Sequence, residues 1–274
     1  MTAVLTDSEM SHKIKQYWNE RARDRGVSRQ VTTDDFFLRE LEIAKLKEKI
    51  SAISLPHGST VADIGCGDGY STLSIAAAFP TIRFVGIDYS EEMLALAEQR
   101  RSAQPELLKN VSFQVGDVRR LSTSVNADKF EVVLTMRSLI NLPSSREQYN
   151  ALTQIAEHLK AGGYYFGIEN FVQGQQAFNR LRAAMGLPEI PIRWHNHFFD
   201  EEEFLAETAK CFDSVIIDNF SSSYYLATLI IYSAGCHLTG QEPDYFHPIH
   251  QTAGQLPPIG DFSPIKLVSM RRKL

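Results

Sequence analysis

Apolar residues recur along this chain in two rhythms. Short, nearly continuous apolar runs occupy 61–64, 82–87, 111–115, 130–136 and 164–169. Between them lie longer stretches, 70–79, 90–103 and 144–160, which read as helices. Continuous runs of this length suit strands buried on both faces. Strands alternating with helices predict a parallel sheet joined by right-handed crossovers, with helices on both faces.

The flanking segments follow other rules. Residues 1–31 are polar, interrupted by Tyr17 and Trp18, which read either as docking aromatics or as part of a cap. Thr32 or Thr33 then offers an N-cap. Phe37, Leu41 and Ala44, with Ile43, Leu46 and Ile50, follow helical spacing and predict a leading layer against the sheet. Beyond the core, 175–185 reads as a helix, followed by Gly186-Leu187-Pro188-Glu189-Ile190-Pro191 and Arg193-Trp194-His195-Asn196-His197. Asp200 is placed to cap a helix whose first turn holds Glu201, Glu202 and Glu203. A sixth strand is expected at 214–220. For the closing strand, 265–272 is preferred over 224–232. The intervening 221–264 holds five prolines, so extended loops are expected there. Long loops are usually functional, which suggests part of a substrate lid.

The first apolar run leads straight into glycines: Asp63-Ile64-Gly65-Cys66-Gly67-Asp68-Gly69. Glycine permits a tight turn and close approach of backbone to a ligand. The helix behind the turn presents free N–H groups. A dinucleotide fingerprint would place its third glycine one residue later.

The spacing Asp63-x-Gly65-x-Gly67-x-Gly69 resembles the first motif of class I S-adenosylmethionine-dependent methyltransferases. That resemblance implies an α/β, Rossmann-like, mostly parallel seven-stranded sheet and S-adenosyl-L-methionine as cofactor. It is supported at the ends of three further strands. Asp88 lies about twenty residues past the turn, where a carboxylate can accept both ribose hydroxyls. Tyr89 follows it, and Ser90 with Met93 looks like the next helix cap. Gly116-Asp117-Val118 closes the third strand, and Asp117 matches the family's acid beside the adenine amino group. Met136 ends the fourth strand, where the sulfonium should lie. Cys66 belongs to the turn, and Tyr17 to a segment that such enzymes often fold over the cofactor. His158-Leu159-Lys160-Ala161-Gly162-Gly163 resembles the family's turn before the fifth strand, with alanine in place of proline.

By the same resemblance, the methyl acceptor should sit above strands four and five, near Arg137, Asn141 and Glu169. His195 and His197 are candidate bases, because histidine titrates near neutral pH. Glu169 is the second choice of base, and Arg137 could grip an anionic acceptor in a fork. Two histidines at i, i+2 could also ligate a metal, but no third ligand is evident and no metal is expected.

Composition narrows the rest. The 274 residues suffice for a helical cap at 1–55 and a methyltransferase domain at 56–274, with insertions at about 170–199 and 221–264. Net charge −5 argues against nonspecific nucleic-acid binding. So does the lack of a base-methylation motif in Met136-Arg137-Ser138-Leu139. Cys66, Cys211 and Cys236 lie far apart, as reduced cytoplasmic thiols would. The first ten residues lack an apolar signal core, and the most apolar later run is too short to span a bilayer. The expected activity is methyl transfer to an oxygen of a small polar or anionic molecule, of sugar or secondary-metabolite type, by a monomer or homodimer. N-methylation of a small molecule and a noncatalytic cofactor-binding partner subunit are the alternatives.

Overall fold

The computed structural model describes residues 5–106, 108–124 and 129–274, so the first four residues of the polar N-terminal stretch lie outside it. Two helices lead, α1 (Asp7–Arg25) and α2 (Phe36–Ala52). The alternating core follows: β1 (Thr60–Ile64), α3 (Tyr70–Ala76), β2 (Arg83–Asp88), α4 (Glu91–Ser102), β3 (Val111–Val115), the short α5 (Leu121–Ser124), β4 (Phe130–Met136), α6 (Ser145–His158) and β5 (Leu159–Asn170). Then come α7 (Val172–Ala184), α8 (Glu201–Thr208) and β6 (Phe212–Asp218). The chain closes with α9 (Ser222–Tyr225), a π-helical stretch Leu226–Tyr232, α10 (Ser233–Thr239), α11 (Pro248–Ala253) and β7 (Ile265–Arg272).

The strands form one sheet in the order β3-β2-β1-β4-β5-β7-β6. Only β7 runs antiparallel to its neighbours. Because side chains alternate along a strand, each strand feeds two cores. Val61, Val132 and Phe166 pack with Ile43, Leu46 and Ile50 of α2 on one face. Ala62, Val133 and Tyr165 pack with Ala151, Leu152 and Ile155 of α6 on the other. Thus α2 is a layer of the sheet sandwich, as its spacing predicts, and α1 is the part that lies outside it. No helix among the described residues is long and apolar enough to cross a membrane.

Several expectations need correction. The segment 221–264 is largely helical rather than extended. Tyr224, Tyr225 and Ile230 are buried in the same core as α2, and that burial outweighs the prolines. Pro248 sits in the first turn of α11, where a missing N–H costs nothing. Hydrogen bonds from the Tyr224 hydroxyl to Asp35 Oδ1 (2.6 Å) and with His250 Nδ1 (2.8 Å) tie the segment to the start of α2. The cap of α2 is Asp35, not Thr32 or Thr33: its carboxylate accepts the Leu38 N–H at 3.1 Å. Thr33 instead accepts the Asp35 N–H. Nor does α6 run to residue 160. Leu159 already pairs with Phe130, and the register then jumps to Val132 with Tyr164, so Lys160–Gly163 form a bulge within β5. The closing strand is 265–272, as preferred.

Candidate active site

The glycine turn is built by sterics. Gly65, Gly67 and Gly69 have φ of 72°, 54° and 69°, in the left-handed region that L side chains avoid. A Cβ on Gly65 would lie 2.3 Å from Cβ of Ser138. The Gly65 and Cys66 N–H groups donate to the Ile87 carbonyl at 2.7 and 3.2 Å, which fastens the turn to β2. Burial and the nearby Asp88 and Asp63 carboxylates push the Cys66 thiol well up, so it stays protonated.

Three carboxylates stand at the ends of β1, β2 and β3. Asp88 is buried; its Oδ2 accepts the Gly67 N–H at 2.9 Å and its Oδ1 the Ser90 N–H at 2.8 Å. Burial raises its pKa to about 6, against the pull of those backbone donors. Burial likewise raises Asp63 to about 6, although the Thr72 hydroxyl donates to it at 2.5 Å. Asp117 differs. Burial alone would raise it, but the Arg119 guanidinium grips both oxygens, at 2.9 and 2.6 Å, and holds it below the usual range.

All three line one cavity of about 330 Å³, which continues past the end of β4 toward β5 and α7. Helix α1 lies along its mouth: Trp18 Nε1 donates to Asn141 Oδ1 at 3.2 Å, and Ser90 Oγ donates to Asn19 Oδ1 at 2.7 Å. The glycine turn lies at one end of that cavity. There a ligand can approach bare backbone, and Asp88 offers an anionic acceptor. Among the described residues no group of three or more His, Cys, Asp or Glu side chains could hold a metal ion.

Residues 61–163, the stretch holding the glycine turn and all three carboxylates, match a family described as a methyltransferase domain. The chain carries a class I S-adenosylmethionine-dependent methyltransferase domain. Among curated relatives, a malonyl-[acyl-carrier protein] O-methyltransferase of Bacillus cereus is 28% identical over 50% of this chain and 47% of its own length. A trans-aconitate 2-methyltransferase of Deinococcus radiodurans is 34% identical over 38% of this chain and 34% of its own. The chain thus spans less than half the length of these relatives. The fold as a whole is similar to magnesium protoporphyrin IX methyltransferase from Synechocystis PCC 6803, solved with bound SAH. The TM-score is 0.61 with 14% identity, over 96% of this chain and 99% of that one.

Within the methyltransferase domain, Asp63, Gly65, Cys66, Gly67, Asp88, Tyr89, Met93, Gly116, Asp117, Val118 and Met136 all line the cavity. Gly69, Ser90 and Tyr17 do not. Gly69 caps α3 and lets it approach α4, since a Cβ there would lie 2.6 Å from Cβ of Ala97. Ser90 caps α4, accepting the Met93 N–H at 3.1 Å. Tyr17 stacks on the His195 ring at a centroid distance of 4.5 Å.

Of the four candidate catalytic residues, the structure brings two to the cavity. His195 lines it, 5% exposed, with no partner for Nδ1 among the described residues. Burial, with Arg193 and Arg21 nearby, lowers its pKa to about 4. Arg137 also lines it, but its guanidinium pairs with the fully buried Glu42 at 3.2 Å. His197 turns away and shares a hydrogen bond with Ser145 at 3.1 Å. Glu169 is wholly buried beneath the cavity, accepting the Leu139 and Ile140 N–H groups at 3.2 and 3.3 Å. Burial raises its pKa to about 7, and it acts as an anchor for the turn after β4.

Two groups of residues escaped the sequence reading. Asp68, inside the glycine turn and fully buried, accepts from Arg39 at 2.8 Å and Arg100 at 2.7 Å. No local signal joins three residues so far apart. Asn170, Gln175, Phe178, Tyr225 and Tyr245 complete the wall opposite the turn. Asn170 was within reach, because it ends β5 and strand ends carry the ligands in such sheets.

Proposed function

We propose that the chain transfers a methyl group to a carboxylate oxygen of a small anionic molecule. S-adenosylmethionine supplies the methyl group. The carrying observation is the setting of His195: its imidazole is buried against Tyr17 and Trp18 with Arg193 and Arg21 near it, surroundings that disfavour the protonated form a base must become. A carboxylate is already ionised and needs no base, so alignment with the donor carries the reaction. Glu169 lies outside the cavity lining, which leaves the same requirement. Arg193 lines the cavity as well and can face the acceptor's charge. Asp88 would receive the ribose hydroxyls, and the glycine turn would leave room for the rest of the donor. The names of the relatives, which act on malonyl and trans-aconitate groups, support an acidic acceptor.

The test is the chemistry of the product. Incubation with S-adenosylmethionine and a panel of small acids, alcohols and amines should yield methyl esters, which dilute alkali cleaves. An alkali-stable ether or a methylamine as the sole product would overturn the assignment. His195→Phe, which keeps the stack on Tyr17, should retain activity to within about tenfold. A loss of about 10²–10⁴-fold would instead mark His195 as the base.

A further inference from the structure

Helix α1 sets an aromatic side chain across the cavity. Trp18 lines it, half-buried, and its contacts fix how it lies. On one side the indole packs with the cluster of Ala22, Val31 and Met93, and Met93 is in the first turn of α4, just past Asp88. On the other side its Nε1 donates to Asn141 Oδ1 at 3.2 Å, in the turn that follows β4. Met93 and Asn141 both line the cavity, so Trp18 bridges the ends of β2 and β4. With the Nε1 edge committed to Asn141, the indole offers the cavity only carbon. Tyr17 and His195 stand beside it, at 5.0 and 5.6 Å between centroids, tilted 71° and 75° to its plane. Neither lies flat on it, so neither stacks over a face. The next residue, Asn19, accepts from Ser90 Oγ at 2.7 Å, which holds this turn of α1 on α4.

Strand order says what lies beneath. The sheet runs β2-β1-β4-β5 through the site. With the ribose on Asp88 and the acceptor past β4, methyl transfer requires the donor's sulfur to point toward the end of β4. That is the stretch Trp18 spans. The sulfur of S-adenosylmethionine carries a positive charge, which transfer removes. A ring face attracts a cation through its quadrupole, and tryptophan does so best. His195, beside the indole, is buried where its protonated form is disfavoured, so it adds no second cation next to the ring. We propose that Trp18 covers the sulfonium with its indole and so reads the donor's charge, favouring S-adenosylmethionine over the neutral product S-adenosylhomocysteine. This rests on the placement of the ribose at Asp88 and is independent of the acceptor's identity.

Titration calorimetry on the full-length protein at pH 8 reads both ligands. Trp18→Leu keeps an apolar cover and removes the ring. It should raise the Kd of S-adenosylmethionine at least about threefold more than that of S-adenosylhomocysteine, the lower end of what a cation over a ring contributes. Trp18→Phe keeps a ring and loses the Nε1–H, so its two Kd values should change by factors within about twofold of each other. A Trp18→Leu protein whose two Kd values rise equally, or do not rise, overturns the proposal, since a merely structural helix contact acts on both ligands alike. Should that variant fail to fold, Trp194→Phe decides, because it leaves Trp18 as the one tryptophan. Its emission should change more on saturation with S-adenosylmethionine than with S-adenosylhomocysteine, and equal changes overturn the proposal. Asp88→Asn binding both ligands as tightly as the native protein overturns the ribose placement, and this proposal with it.

Discussion

Asp88→Asn tests the cofactor half of the site most directly, because it keeps the side chain's size and removes its charge. In the native protein each Asp88 oxygen already accepts one backbone N–H, from Gly67 and Ser90. The ribose hydroxyls would add a second bond to each. A hydrogen bond to a charged group contributes about 1.5–3 kcal/mol and a neutral one about 1 kcal/mol. Two charged bonds exchanged for one neutral bond gives a deficit of at least about 2 kcal/mol, roughly thirtyfold in Kd. The shared backbone donors keep the value near that lower end. The pH profile adds a second signature. The ionised carboxylate is the receptive form, so native affinity should weaken as pH falls through about 6. Folding shows the opposite trend with pH. The folded pKa, near 6, lies above the ordinary value of about 3.9. The native state therefore binds the extra proton between those values, and stability falls as pH rises across that window. Titration calorimetry with S-adenosylhomocysteine at pH 5, 6 and 8 reads the affinity arm. The variant should bind more weakly at pH 8 and vary less with pH, the remainder belonging to Asp63. An Asn variant binding as tightly as native at pH 8 would refute the placement of the ribose.

Gly65→Ala should abolish cofactor binding, because its Cβ would strike Ser138 Cβ at 2.3 Å in a backbone region alanine resists; calorimetry showing unchanged affinity would count against a tight turn. Glu169→Gln should leave methyl transfer within threefold, since the residue anchors a turn. It should also flatten the native loss of thermal stability between pH 5 and 8, which follows from a carboxyl raised to about 7; a hundredfold fall in kcat would restore Glu169 as a base. Asp68→Asn leaves two guanidinium groups without their counter-charge, of which Arg39 is 3% exposed. Breaking such a buried pair costs about 3–5 kcal/mol, so the melting temperature should fall on the order of 10 °C, and a shift under about 2 °C would mark the triad as dispensable.

What could be read from the sequence was what is written locally. A strand, its glycine turn and the helix behind it occupy adjacent positions, and the acids at Asp88 and Asp117 end strands that the apolar runs already marked. The misreadings are questions of facing. His195 and His197 are two residues apart, yet one meets Tyr17 at the cavity and the other meets Ser145 on α6. Glu169 and Asn170 are adjacent on β5, so their side chains leave opposite faces. The acid goes under the turn after β4 and the amide goes to the cavity. No spacing rule decides which of two such neighbours faces a ligand. The prolines of 221–264 misled for a different reason. Composition reports backbone preference, whereas the burial of Tyr224 and Tyr225 depends on a surface of α2 supplied from almost 190 positions earlier.

The two halves of the cavity are therefore specified in different ways. The cofactor half comes from the ends of three neighbouring strands, all within the 61–163 match. The acceptor half is drawn mostly from Asn170 onward, outside that match. It is held by long-range contacts: Arg182 donates to the carbonyls of both Pro188 and Leu229, binding α7, the following loop and the π-helical stretch into one wall. Inserted segments can change such a wall without disturbing the glycine turn, which is how one sheet comes to serve many acceptors. It follows that the relatives' names inform the donor more than the acceptor. The acceptor has to be argued from the later wall, which starts at Asn170 on the end of β5 and runs through Gln175 and Phe178 of α7 to Tyr225 and Tyr245.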